Sequence, residues 1–260
     1  MCKIIAIANR KGGVGKTTTT LNLGHALALQ GKQVLLVDFD PQTNLSMNMG
    51  FEAMYPFKAT IHDAILDMLE EKPLSLGDYI LTGSDLDLMP GTSNLVASER
   101  NLINEVGSDH ILAEILTPAK QTYDYILIDT SVSSGALCTN ALAAADGVII
   151  PISPEMWATE GMPDLLSDMA KIKKRINPSI KVAGIARTMV DERLVVSKLT
   201  KEHLWENFAD KHTIFSIGIP KSASFSKAAV ARESIFQYEP TSKGALAYSA
   251  LAKELITMEV

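Results

Sequence analysis

Two lysines, three glycines and a run of threonines fall together in Asn9-Arg10-Lys11-Gly12-Gly13-Val14-Gly15-Lys16-Thr17-Thr18. An apolar run, Ile4 to Ala8, precedes them, and an apolar-periodic run begins near Leu21. The order is strand, glycine-rich loop, helix. Glycines let the backbone turn tightly with its N–H groups facing inward. The helix start adds free N–H groups and partial positive charge. Lys16 would then reach the β- and γ-phosphates of a nucleoside triphosphate, and the Thr17 hydroxyl would sit on Mg²⁺. Gly12, Gly13, Val14, Gly15, Lys16, Thr17 and Thr18 are the expected phosphate contacts. One feature departs from G-x-x-x-x-G-K-[ST]: Arg10 stands where the first glycine belongs, and a second lysine, Lys11, follows it.

Carboxylates come next. Gln33 to Val37 is almost wholly apolar and runs into Asp38-Phe39-Asp40-Pro41-Gln42. Tyr123 to Ile128 is a second such run, and it ends in Asp129. Parallel strands covered on both faces read this way, and acids at their carboxyl ends beside a phosphate loop are poised for Mg²⁺ and water.

These segments resemble the ParA/MinD family of ATPases. Lys11-Gly12-Gly13-Val14-Gly15-Lys16-Thr17-Thr18 is similar to that family's deviant phosphate loop, whose mark is an extra lysine, and the chain is closest to the short ParA/Soj-type partition ATPases. In the family, ATP drives a sandwich dimer in which that lysine reaches the phosphates held by the other subunit. The resemblance implies this role for Lys11, the ordinary loop-lysine role for Lys16, metal support for Asp38 and Asp129, and orientation of the attacking water for Asp40. It makes Arg187 and Pro220 candidates for the adenine pocket. It also brings Ser153-Pro154-Glu155-Met156-Trp157 near the dimer face, with Trp157 as a possible anchor. Tyr238-Glu239-Pro240-Thr241-Ser242-Lys243-Gly244-Ala245 matches a further family element closely.

Other segments depart from the family. Thr130-Ser131-Val132-Ser133-Ser134-Gly135 replaces C-P-P-S-L-G, so both prolines that would pre-set the γ-phosphate-sensing loop are gone. Thr43 stands where a glycine is frequent. Ser224 stands where the family has an arginine implicated in non-specific DNA binding. Lys221, Lys227 and Arg232 lie near it and are the candidates to replace that charge.

The elements that must position these residues follow from the alternation of apolar strand-like runs with helical ones. The expectation is an α/β fold: a mostly parallel twisted sheet of about seven or eight strands, helices on both faces, the P-loop NTPase arrangement. The 260 residues, 47% hydrophobic, suffice for a single domain over 1–260. The net charge of −6 excludes a generally basic coat, but residues 1–170 carry 9 basic and 21 acidic groups while 171–260 carry 15 and 9. Binding to DNA or another acidic surface is therefore expected of the later part. Two cysteines give neither a disulfide framework nor a metal site. No signal-peptide pattern, 18-residue apolar stretch or basic amphipathic tail is present, so a cytoplasmic protein without membrane attachment is expected, associated with the nucleoid if it binds DNA.

The function so implied is ATP hydrolysis with ATP and Mg²⁺ as cofactors. ATP would favour a homodimer that binds non-specific double-stranded DNA, and a ParB-like adaptor would stimulate turnover, segregating or positioning plasmid or chromosomal DNA. Two alternatives stand beside it: a related ATPase that positions a protein assembly, and an ATP-dependent structural switch that barely hydrolyses.

Overall fold

The computed structural model describes residues 1–50, 59–154 and 161–258. The expected anchor Trp157 lies outside them. Seven strands form one parallel sheet in the order β3-β2-β4-β1-β5-β6-β7: β1 (Lys3–Ile7), β2 (Val34–Phe39), β3 (Asp87–Met89), β4 (Tyr125–Thr130), β5 (Gly147–Ile152), β6 (Lys181–Val190) and β7 (Ile214–Pro220). Helices α1 (Lys16–Ala28), α2 (Asn44–Asn48), α3 (Ile61–Leu69), α4 (Leu95–Asn104), α5 (Ile111–Leu116), α6 (Ala136–Ala144), α7 (Gly161–Arg175), α8 (Val195–Phe208), α9 (Ala223–Ala231), α10 (Ile235–Tyr238) and α11 (Lys243–Thr257) connect and cover them.

β1 shows why the central strands are apolar throughout. Ile4 and Ala6 face one core, with side chains from α3, α5, α6 and α7; Ile5 and Ile7 face the other, with α1 and α11. Alternate residues point to opposite faces, so burial on both leaves no polar position. Each fully buried Ile or Leu here contributes roughly 2 kcal/mol by area. Gly24 lets α1 lie close against the sheet, since a Cβ there would fall 2.6 Å from a Leu36 methyl.

Helix boundaries follow local chemistry. Thr60 and Asp63 form a reciprocal capping box at the start of α3. Gly31, at φ +78°, ends the turn after α1, where the Lys32 N–H returns to the Leu27 carbonyl. β7 runs on through Pro220, which pairs with Val190, instead of turning at Ile219-Pro220. It is the edge strand, where a missing N–H costs no ladder bond.

The register sets the functional edge. Ile7 of β1 is level with Asp129 of β4, and Asp129 is level with Asp38 of β2. The loops that leave these strands at their carboxyl ends therefore meet in one place, beside the point where the chain order reverses across β1.

Candidate nucleotide site

The loop between β1 and α1 is held from several sides. Gly13 and Gly15 have φ of +74° and +84°, which only glycine adopts without strain. Asn9 donates from Nδ2 to the Pro151 carbonyl at 2.8 Å and accepts the Lys11 N–H on Oδ1 at 2.9 Å. Thr188 on β6 donates its hydroxyl to the Val14 carbonyl at 2.8 Å. The loop is thus tied to the two strands beyond it before any ligand binds.

Lys16 is only 8% exposed, and its ammonium donates to the Lys11 carbonyl at 3.4 Å. Burial pushes its pKa down, opposed by Asp129 and Asp40. Thr17 donates its hydroxyl to Asp129 Oδ2 at 2.7 Å, and Thr20 reaches Oδ1 at 3.3 Å. Asp129 is fully buried; burial, then the neighbouring Asp38, pushes its carboxyl up to about 8. Asp38 is also fully buried, and desolvation pushes it up to about 6 although Ser46 donates both its N–H, at 2.8 Å, and its hydroxyl, at 2.6 Å. Burial is the main cause for both acids, with the Asp38 charge adding to the rise of Asp129 and the Asp40 charge to that of Asp38.

That donor set fits a divalent cation beside a polyphosphate. No group of three or more His, Cys, Asp or Glu side chains among the described residues could cage an ion. A hydroxyl backed by carboxylates is what Mg²⁺ requires where phosphates and water complete its shell. The buried Lys16 ammonium supplies the matching cation for the phosphates. Of the residues assigned to the metal, Thr17 and Asp129 sit together, while Asp38 has one oxygen committed to Ser46.

A cleft of about 640 Å³ opens over the loop. Gly12, Gly13, Gly15, Lys16, Thr17, Thr18 and Asp40 line it, with Ser131, Val132 and Ser133 on the far wall. Val14 is fully buried beneath, and the Lys11 side chain is not part of the lining. In place of the family's prolines, the Ser131 and Ser133 hydroxyls meet at 2.9 Å, and the Ser133 N–H donates to Ser131 Oγ at 3.3 Å. Local side-chain bonds thus shape a loop that lacks proline.

A second cavity of about 290 Å³ shares Gly15, Thr18 and Met189 with the cleft and continues to Pro220, Phe225 and Tyr248. Its largely apolar walls suit a purine base. Pro220 lines this cavity and Arg187 does not: its guanidinium meets Glu192 at 3.2 Å, the Ser216 carbonyl at 3.3 Å and the Trp205 ring at 5.4 Å. Successive strand residues face opposite ways, so Thr188 turns toward the loop and Arg187 away from it. Met189, at φ +51°, stands at the junction of the two cavities, and Glu99 of α4 brings to the cleft wall a buried carboxylate oxygen with no hydrogen-bond partner among the described residues. Sequence reasoning missed Ser46, Glu99, Met189 and Tyr248; strand alternation would put Met189 on the face of Arg187, and its φ of +51° breaks that period.

Asp40 Oδ1 accepts the Gln42 N–H at 2.9 Å, and the turn places Thr43 at φ 55°, ψ 24°. A β-branched residue in the left-handed region costs about 1–2 kcal/mol, and glycine's extra unfolded freedom returns about half of any gain. Thr43→Gly is therefore expected to raise stability by about 0.5–1 kcal/mol, read as a higher urea midpoint at unchanged slope.

The cations assigned to DNA are strung along one short helix. Lys221 lies before α9 on the wall of the base cavity, Lys227 is exposed on α9, and Arg232 caps its end at φ 61°. Arg232 lines a separate small cavity with His25 and Asp85.

The comparisons with known proteins agree with this geometry. A family model described as an AAA domain matches residues 2–182. The sporulation initiation inhibitor protein Soj of Bacillus subtilis is 39% identical over 257 residues, covering 98% of each chain. The chromosome partitioning protein ParA of Myxococcus xanthus is 36% identical, covering 98% of this chain and 88% of its own. Among solved structures, cobyrinic acid a,c-diamide synthase of Mycobacterium smegmatis, with bound ATP analogue and magnesium, superposes with a TM-score of 0.84 at 28% identity, covering 98% of this chain and 95% of its own. With its phosphate loop, its paired carboxylates and its matched relatives, this chain belongs to the ParA/MinD/Soj-type P-loop ATPases, enzymes of ATP and Mg²⁺ that share the deviant loop.

Proposed function

We propose that the chain is a partner-stimulated ATPase whose ATP-bound homodimer positions a cargo. The observation that carries this is the unequal placement of the two loop lysines: Lys16 lines the cleft and Lys11 does not. A monomer so arranged brings one of the two loop lysines to the cleft, which supports the reading that a second subunit supplies the other. Nucleotide state is then coupled to assembly.

Hydrolysis is in-line attack of water on the γ-phosphate, which the protein assists by placement and charge. Asp40 lines the cleft and orients the water. Lys16 and the partner subunit's loop lysine offset charge on the transferring group. Thr17 holds Mg²⁺, with Asp129 and Asp38 behind it; when bound, the ion neutralises phosphate charge. Pro220, Met189 and Phe225 form the base pocket.

Two observations bear on the cargo. Relatives named for chromosome partitioning favour DNA, with a ParB-like adaptor to stimulate turnover. Ser224, together with the strung-out placement of Lys221, Lys227 and Arg232, favours a protein assembly. Binding of non-specific duplex DNA decides between them, measured with ATP, ADP and no nucleotide at two salt concentrations, with Asp40→Ala to hold the ATP state. Binding only with ATP, weakened steeply by salt, identifies DNA as the surface. ATP-dependent dimers that bind no DNA identify a protein cargo. A chain that stays monomeric with ATP in the Asp40→Ala variant sinks the dimer cycle itself.

A further inference from the structure

A groove of about 550 Å³ lies at the opposite end of the sheet from the nucleotide cleft. It is lined where α7 passes the starts of β6 and β7. β6 alone is 10 residues long, so about 30 Å of strand separates its two ends. Met169 and Ile180 form a buried floor, and Leu166 and Val182 are half-buried beside them. Lys173, Lys181 and Lys211 line the rim, and no acid lines the groove among the described residues.

The charge here is concentrated. Residues 171–181 hold Lys171, Lys173, Lys174, Arg175 and Lys181 and no acid. Of the carboxylates in neighbouring elements, Asp168 pairs with Arg10 and Lys171, and Asp146 accepts the Ile4 N–H at 2.8 Å. Asp210 is exposed next to Lys211. Lysine-rich helix ends are ordinary, but three lysines around an apolar floor are a recognition pattern: cations steer an anionic partner and the floor takes an apolar side chain. Duplex DNA would meet the lysines and leave the floor wet. An extended acidic peptide with one or two apolar residues uses both.

We propose that this groove is a docking site for an acidic segment of a partner protein, anchored by an apolar side chain on the Leu166–Met169–Val182 floor. The proposal does not depend on the nucleotide cycle. Its placement gives it reach, however. The other end of α7 presses on the phosphate loop: a Cβ on Gly161 would fall 2.9 Å from Asn9 Oδ1 and 3.1 Å from the Lys11 nitrogen, and Asp168 pairs with Arg10. An occupant of the groove rests on the element that abuts Lys11.

The test is fluorescence anisotropy with the full chain and a fluorescein-labelled peptide of sequence EELEDLEE, with and without ATP. The expected result is saturable binding below about 100 μM, weakened about tenfold or more by Lys173→Glu with Lys211→Glu, and severalfold by Leu166→Gln. Both variants should keep the far-ultraviolet circular dichroism and basal ATP turnover of the parent, since none of the three side chains lines the nucleotide cleft. Three results overturn the proposal: no saturable binding by the parent chain, equal affinity after the charge reversal, or displacement of the peptide by duplex DNA with Leu166→Gln without effect. The last would make the patch a nucleic-acid surface.

Discussion

Lys16→Ala is expected to lower ATP turnover by about a hundredfold or more, the loss typical of removing one pre-placed donor to a developing charge. Lys16 is 8% exposed, and its ammonium makes only a long hydrogen bond among the described residues, 3.4 Å to the Lys11 carbonyl. Without nucleotide, then, the site carries a desolvated cation that burial already pushes toward neutrality. A triphosphate replaces the missing solvation, so the interaction is worth more with the ligand than without it. The same reasoning separates loss of function from loss of fold. Removing an under-solvated buried charge should leave the melting temperature of the ligand-free chain unchanged or slightly raised. ATP with Mg²⁺ should raise the melting temperature of the parent, by about 2.7 kcal/mol of stabilisation at a hundredfold excess over Kd, and that of the variant far less. Lys16→Arg should fail as well, because a longer, planar guanidinium cannot put a compact point charge where the ammonium stands. Turnover within a few-fold of the parent would remove Lys16 from the phosphate site.

How much of this was legible in the sequence depends on how local the signal is. The phosphate loop is a contiguous string in which glycine positions, lysine and hydroxyls each answer one local requirement, so Gly12 to Thr18 read directly. Asp38 and Asp129 read well because an apolar run with a terminal acid is a strand-end pattern, and parallel pairing then sets the two side by side. Arg187 lies away from the base cavity because one step along a strand reverses the face: Thr188 meets the loop, and Met189, whose φ of +51° breaks the strand period, meets the cavity. Ser46 and Glu99 had no local signal at all. Ser46 matters only because a short helix after Asp40 folds back onto Asp38, and Glu99 because α4 crosses near Gly135, whose missing Cβ leaves room for its carboxylate. Such contacts are set by tertiary packing between segments dozens of residues apart, which pattern and propensity do not encode. The loop at 131–133 shows the converse. The absence of proline was plain from the sequence, but the paired serine hydroxyls that take up its shaping role are visible only in three dimensions.

Mixing two inactive variants tests the role of Lys11 most sharply. Under the proposed dimer cycle, Lys11→Ala removes the ammonium assigned to the opposite subunit's phosphates; Lys11 does not line its own subunit's cleft. Asp40→Ala removes a carboxylate that lines its own subunit's cleft. Each variant alone is expected to lose partner-stimulated turnover by about a hundredfold, since the group lost acts on the transferring phosphoryl or its nucleophile. In a mixed dimer, however, the site on the Lys11→Ala subunit keeps its own Asp40 and receives an intact lysine from the Asp40→Ala subunit. That one site is complete; the other lacks its Asp40. With random assortment half of the dimers are mixed, and each has one competent site of two. Equimolar mixing should therefore restore up to about a quarter of the parent's turnover, a non-additive gain that residues acting as one unit within a single subunit cannot give. If Lys11 served its own subunit's phosphates, the mixed dimer would have two defective sites and mixing would restore nothing. A single titration of one variant into the other at fixed total protein distinguishes the cases, because recovery across subunits peaks at equal amounts and falls to zero at both ends.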